Sequence, residues 1–270
     1  MNLIEQDVFT NGIRQHVYRT ETGKQPLVFA HGIADNGLCF LPIAERLSGE
    51  FEIILFDSRN HGKSEAPATR TTTVDRAMDL AGLVETLHLQ KPGLIGHSMG
   101  AMTVGLLAGL YPDMPGCIVM EDPPPFELFA SRDEKSQADR MLWMQFAASN
   151  KQKSIEELMQ LCQKENPSWP EGEWQPWAQG KKQLNLAVFE EENGDVERGN
   201  LLFSQITCPT LILTADADRG ALYPPKAADA LAAALPAGRH MHIPGAGHNI
   251  RREQPAAFSK AVDGFLKDSL

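Results

Sequence analysis

Runs of apolar residues, which are typical of strands buried on both faces, alternate along the chain with segments of helical periodicity. The predicted strands are residues 13–18, 27–30, 52–56, 116–120, 209–214 and 239–243, with one more that begins at residue 94. The main predicted helices are residues 39–47, 74–88, 225–235 and a last one that carries Phe258, Val262, Phe265 and Leu266 on one face. Strands that alternate with helices in this way predict an α/β fold with a doubly wound, mostly parallel sheet.

Residues 126–204 interrupt this alternation, because they contain no clear buried strand. Helices are predicted here at residues 139–148, 154–164 and 174–188. All four tryptophans of the chain lie in the same segment: Trp143, Trp169, Trp174 and Trp177. We therefore expect a core formed by residues 1–125 and 205–270 and a helical cap, or lid, formed by residues 126–204. A surface helical insertion with ordinary core aromatics is the alternative.

A Gly-x-Ser-x-Gly motif lies where the strand that begins at residue 94 runs into an apolar segment. Gly96 and Gly100 flank Ser98, and small neighbours permit the sharp strand-to-helix turn that exposes a nucleophile. The Met99 amide, at the start of the helix, would face negative charge that develops beside the serine hydroxyl. Because no Asp, Glu, Lys or Arg lies between residues 92 and 112, a membrane span is the alternative, but the glycines of this stretch favour a buried strand and helix.

This motif and its surroundings resemble the α/β-hydrolase family. A His-Gly step at residues 31–32 follows an apolar strand, and the resemblance assigns the next amide, that of Ile33, to an oxyanion hole opposite Met99. Residues 57–64 are similar to a loop that is common in the family, with Asn60 where glycine is usual. The resemblance covers nearly the whole chain and implies the α/β-hydrolase fold.

The resemblance also implies a catalytic triad in the order serine, acid, histidine. Ser98 is the nucleophile of this pattern, and His248 follows a turn-rich Gly-x-Gly step that leaves its imidazole free to reach the serine. The family's acid position carries over to Asp218, which is the predicted acid. Asp122, at the end of the preceding strand, is the alternative acid because some members take it from there, and Asp216 is a lesser candidate.

The chemistry that the resemblance implies is acyl transfer to water through an acyl-enzyme on Ser98, with no metal and no organic cofactor. Serine at the centre of the motif argues against haloalkane dehalogenase and epoxide hydrolase chemistry, which use aspartate there. We expect the substrate to be a small to medium, partly apolar carboxylic ester or lactone. Cleavage of a C–C bond, thioester hydrolysis and a slow-turnover ligand receptor remain alternatives, because one fold supports many functions.

Composition narrows the expected partners. The net charge of −10 argues against nucleic acid or an anionic membrane as the main partner of this 270-residue chain and favours a small-molecule substrate that is neutral or cationic. The four cysteines form no C-x-x-C pair, which argues against a zinc ribbon. Residues 1–12 have neither the basic start nor the apolar run of a secretory signal, so we expect a cytoplasmic location.

Overall fold

The computed structural model describes residues 1–67, 71–130, 133–190 and 196–270. Its strands form an eight-stranded sheet with the order β1-β2-β4-β3-β5-β6-β7-β8. The strands are β1 (Ile4–Thr10), β2 (Ile13–Arg19), β3 (Pro26–Ala30), β4 (Glu52–Phe56), β5 (Gly93–His97), β6 (Cys117–Glu121), β7 (Thr210–Thr214) and β8 (Gly238–His242).

Strands β1 and β2 pair antiparallel, as do β2 and β4, whereas every pairing from β4 across to β8 is parallel. The doubly wound, mostly parallel sheet predicted from the sequence is therefore confirmed. Parallel neighbours end at the same edge of a sheet, so the loops that follow β3, β5, β6 and β7 gather together.

The helices cover both faces of this sheet. They are α1 (Leu41–Leu47), α2 (Thr73–Thr86), α3 (Met99–Leu110), α4 (Phe126–Ala130), α5 (Glu134–Gln152), α6 (Ile155–Glu165), α7 (Trp174–Gln183), α8 (Val196–Ser204), α9 (Pro225–Ala234), α10 (Ile250–Glu253) and α11 (Pro255–Ser269). Helices α2, α3, α8 and α9 share one apolar core with the sheet, and α1 and α11 share the other. Within β5, Leu94 belongs to the first core and Ile95 to the second, because successive side chains of a strand point to opposite faces.

Helix α3 is buried along almost its whole length, since the sheet, α2 and α8 all pack against it. This burial explains why the segment carries no charge and why its apolar residues show no single stripe. Across the described ranges, none of the helices combines the length and the apolar character needed to cross a membrane.

Between β6 and β7 the chain forms α4 to α8 and no strand in its described part. Two predicted helices of this segment agree with α5 and α6, but the helix predicted over residues 174–188 ends at Gln183. Leu184 then adopts an extended backbone, and a 3₁₀ turn follows at Leu186–Glu190. Residues 131–132 and 191–195, which belong to the predicted cap, lie outside the described residues.

Candidate active site

Ser98 lies at a sharp turn between β5 and α3. Its backbone has φ 54° and ψ −118°, a conformation that costs a non-glycine residue about 1–3 kcal/mol. The surroundings enforce the turn, because a Cβ atom on Gly100 would lie 1.9 Å from the Ala30 carbonyl oxygen and one on Gly96 would lie 2.2 Å from the Gly100 carbonyl oxygen. The Ser98 N–H donates to the Glu121 carbonyl oxygen at 2.9 Å, which ties the turn to β6.

Two backbone amides beside Ser98 have no acceptor among the described residues. One belongs to Met99, the first residue of α3, where a helix has no internal partner for its N–H. The other belongs to Ile33, in the loop after β3, and both residues line the same pocket as Ser98. That loop runs close to the serine, because a Cβ atom on Gly32 would lie 3.3 Å from the Ser98 Cβ atom. Two backbone N–H groups without an acceptor in the described part of the chain therefore lie beside Ser98.

The imidazole of His248 contacts the carboxylate of Asp122. His248 Nδ1 lies 2.6 Å from Asp122 Oδ2. Asp122 is fully buried at the end of β6, and its carboxylate also accepts from the Leu222 N–H at 2.8 Å and the Tyr223 N–H at 2.9 Å. A carboxylate only accepts hydrogen bonds, so this contact favours the imidazole tautomer with its proton on Nδ1.

The histidine loop is anchored to the residue before the serine. His97 Nε2 donates to the His248 carbonyl oxygen at 2.9 Å, and the two imidazole rings lie 4.7 Å apart between centroids. Burial, together with the nearby Arg251 guanidinium, keeps the pKa of His97 well below its usual range. His97 is thus neutral and acts as a hydrogen-bond donor that binds the His248 backbone to the residue before Ser98.

Asp218, the acid predicted from the sequence, is not beside the imidazole. It lies exposed in the 3₁₀ turn Ala217–Arg219, and in the described part of the chain no hydrogen bond or ion pair joins it to His248. The carboxylate contact is corrected to Asp122, because the loop after β7 delivers two backbone amides to this site instead of a side chain. Asp216 binds the start of the histidine loop and the end of β8. Its carboxylate accepts from the Gly245 N–H at 2.7 Å and lies 2.9 Å from His242 Nε2.

Two further buried histidines support the loop that carries Ile33. The Ala34 N–H donates to His61 Nε2 at 3.3 Å, and the Ser58 N–H donates to His31 Nε2 at 3.0 Å. Burial lowers the pKa of both imidazoles, so both are neutral acceptors. Their function here is structural support, a role for which the sequence carries no short-range signal.

A pocket of about 540 Å³ opens at Ser98. Apolar side chains supply much of its lining, among them Ile33, Met99, Met102, Leu142, Trp143 and Val188. Three of the described lining residues are charged: Arg76 on α2, and Asp139 and Arg140 on α5. Within the described ranges, no group of three or more His, Cys, Asp or Glu side chains is placed to hold a metal ion.

Comparisons with known proteins identify the family of the chain. A family model described as alpha/beta hydrolase fold matches residues 25–251. The 2-(acetamidomethylene)succinate hydrolase of Mesorhizobium japonicum is 28% identical over 257 residues, which cover 91% of this chain and 90% of that protein. Esterase YbfF of Escherichia coli is 27% identical over 265 residues, which cover 95% of this chain and 98% of the esterase. The crystal structure of E-2-(acetamidomethylene)succinate hydrolase matches with a TM-score of 0.76 at 23% identity, covers 98% of this chain and 100% of that chain, and shows a shared fold.

Proposed function

The chain belongs to the alpha/beta hydrolase fold family, and from this membership and the site geometry we propose that it is a serine hydrolase that acts through an acyl-enzyme on Ser98. The observation that carries the proposal is the 2.6 Å contact between His248 Nδ1 and Asp122 Oδ2, in a loop bound to the residue next to Ser98. We assign Ser98 as nucleophile, His248 as base and Asp122 as acid. The Ile33 and Met99 amides form the proposed oxyanion hole.

The proposed reaction has two halves. The Ser98 Oγ atom bonds to the substrate carbonyl carbon while its proton passes to His248 Nε2, and the Ile33 and Met99 N–H groups stabilise the oxyanion. The bond to the leaving group then breaks, and the leaving group takes the proton from Nε2. Water attacks the acyl-enzyme, gives its proton to Nε2, and the acid product leaves as Ser98 regains a proton. Asp122 holds the Nδ1 tautomer and stabilises the imidazolium in both halves.

The pocket supports a small to medium, partly apolar carboxylic ester or lactone as substrate. Its volume of about 540 Å³ lies within the range of sites for small molecules. Half of the described residues that line the pocket belong to residues 126–204, including Leu142 and Trp143 on α5. We propose that these residues form a cap over a core made by residues 1–125 and 205–270.

A second candidate substrate class is an ester or amide that carries a carboxylate. The observation that favours it is the pair of arginines, Arg76 and Arg140, which outnumber the single acidic residue, Asp139, in the described lining of the pocket that Ser98 lines. The relative from Mesorhizobium japonicum is named for a succinate substrate, which agrees with this class. A substrate panel should therefore contain neutral esters and lactones, thioesters, and matched esters and amides of succinate.

Trp143→Ala is the variant that tests the proposed cap. We expect KM for a hexanoate ester to rise about 5-fold to 10-fold while kcat changes less than about 2-fold, because apolar contact with the acyl chain is lost and the triad is untouched. Trp143 is 57% exposed, so the substitution leaves the apolar cores intact. The matched control is Met141→Ala, since Met141 is 58% exposed on the same helix but does not line the pocket.

Steady-state kinetics on the panel provide the measurement, with Ser98→Ala prepared in parallel. Sustained turnover on at least one compound supports a hydrolase, whereas one product per protein on every compound indicates a ligand receptor. An unchanged KM in Trp143→Ala across the neutral esters would remove Trp143 from the substrate site.

A further inference from the structure

The loop that carries the Ile33 amide is a tight turn with a strained third residue. The Asp35 N–H donates to the Gly32 carbonyl oxygen at 3.2 Å and closes the turn. Ala34 has a φ of 61°, a conformation for which turns of this kind favour glycine. Contacts from outside the turn therefore have to hold Ala34 in place, and with it the direction of the Ile33 N–H.

Side chains bind both polar backbone groups of Ala34. Its N–H donates to His61 Nε2 at 3.3 Å, and its carbonyl oxygen accepts from Lys181 Nζ at 2.9 Å. Lys181 lies on α7, and the residue before it is Gly180, where a Cβ atom would lie 3.0 Å from the Ala34 carbonyl oxygen. Helix α7 of the proposed cap thus packs directly on the turn.

Lys181 also belongs to a buried ionic cluster, which consists of Asp35, Glu121, Glu173, Lys181, Arg251 and Arg252. The Asp35 carboxylate lies 3.7 Å from Lys181 Nζ, 3.3 Å from Arg251 Nη2 and 3.2 Å from Arg252 Nη2. Burial raises the pKa of Asp35, but these cations outweigh it and keep the pKa below the usual range. The three cations face three carboxylates, as buried charges require.

The ionic cluster joins the loops of the proposed active site to residues 126–204. Arg251 donates from its backbone N–H to Glu121 Oε1 at 2.8 Å and lies 3.2 Å from Glu121 Oε2 through Nη1. Arg252 Nε lies 2.8 Å from Glu173 Oε2. Glu121 directly precedes Asp122, and both arginines follow His248 closely. The cluster therefore adjoins the proposed acid, the proposed base and the turn that carries Ile33.

We propose that Lys181 is a positioning residue for the oxyanion hole, which acts by holding the Ala34 carbonyl oxygen and the Asp35 carboxylate. This inference rests on the serine hydrolase function proposed above. The hydrogen bond from Lys181 helps to hold Ala34 at its positive φ. Without the ammonium group, the backbone of Ala34 relaxes toward a negative φ, and the Ile33 N–H turns away from the oxyanion. That N–H acts on the transition state more than on bound substrate, so the loss falls on kcat and not on KM.

The test compares Lys181→Met with Lys182→Met in the full chain. Lys181→Met is expected to lower kcat about 10-fold to 100-fold with KM within about 3-fold, as partial loss of one oxyanion donor predicts. Lys182 is the matched control, because it lies next on α7 but donates to the Lys151 and Lys153 carbonyl oxygens at 2.6 and 2.8 Å. Lys182→Met is expected to keep kcat within about 2-fold, since its contacts stay inside residues 126–204.

Gly180→Ala keeps every charge and offers a second test if Lys181→Met does not fold. Its methyl group would displace the turn by a few tenths of an ångström, while alanine favours the helix. We expect kcat to fall several-fold with KM unchanged. An unchanged kcat in the folded variants, or a loss that falls on KM, would overturn the role of Lys181. If Ser98→Ala also kept activity, the proposed function itself would fail, so the two failures are distinguishable.

Discussion

Asp122→Asn is expected to lower kcat by about 10³-fold to 10⁴-fold, because the base would lose its acid partner and its correct tautomer. Both carboxylate oxygens of Asp122 accept hydrogen bonds: Oδ2 from His248 Nδ1 and the Leu222 N–H, and Oδ1 from the Tyr223 N–H. An asparagine NH₂ group in place of either oxygen would face a donor. The expected result is a folded protein with a misdirected imidazole, measured as kcat on the best ester of the panel.

Asp218→Asn is the matched control for this change. Asp218 is exposed in the loop after β7, so we expect its replacement to alter kcat less than about 2-fold. The opposite ranking, with a large loss in Asp218→Asn and a small one in Asp122→Asn, would return the acid to the position predicted from the sequence. Circular dichroism and the thermal midpoint of each variant separate loss of catalysis from loss of fold.

Ser98→Ala and His248→Ala are each expected to lower kcat by about 10³-fold or more, because nucleophile and base act as one unit. The double variant is expected to lose little beyond either single variant, since removing one partner already disables the other. Ser98 is only 5% exposed, and alanine removes one hydroxyl without changing the turn, so the fold should persist. Additive losses in the double variant would mean that Ser98 and His248 do not function together.

The sequence predicts the individual strands and the serine turn well, because an apolar run and the Gly-x-Ser-x-Gly motif are both signals within a short window of the chain. The spacing of Gly96, Ser98 and Gly100 predicts the turn. The steric limit at Gly96 comes from Gly100 itself, whereas the limit at Gly100 comes from Ala30, on a different strand. Apolar runs likewise mark the central strands. Strand β1 is absent from the prediction, because it is an edge strand with mostly exposed side chains and no apolar run.

The carboxylate that contacts His248 is harder to predict, because β6 and β7 are parallel neighbours whose ends lie side by side. Glu121 pairs in register with Leu213, so the residues after both strands enter the same region. The choice between Asp122 and Asp218 depends on backbone turns, and Asp122 adopts φ 41° with its carboxylate held by two amides from the other loop. No pattern in the sequence specifies that loop path.

The support around Ile33 depends on contacts between residues that are distant in the chain. Lys181 is separated by 147 positions from the Ala34 carbonyl oxygen that it binds, and Arg251 by 216 from Asp35. Periodicity and motifs describe short windows, so they indicate that residues 126–204 are helical but not which side chains reach the active-site loops. Those contacts follow only from the packed structure.

Labelling with a fluorophosphonate, followed by peptide mass spectrometry, tests whether Ser98 is the nucleophile, because the reagent bonds to a serine that a neighbouring base activates. We expect one equivalent of label on Ser98, no label in Ser98→Ala, and slower labelling by at least about 10²-fold in His248→Ala. Label on a different residue, or equal labelling of wild type and Ser98→Ala, would contradict the assignment of Ser98 as the nucleophile.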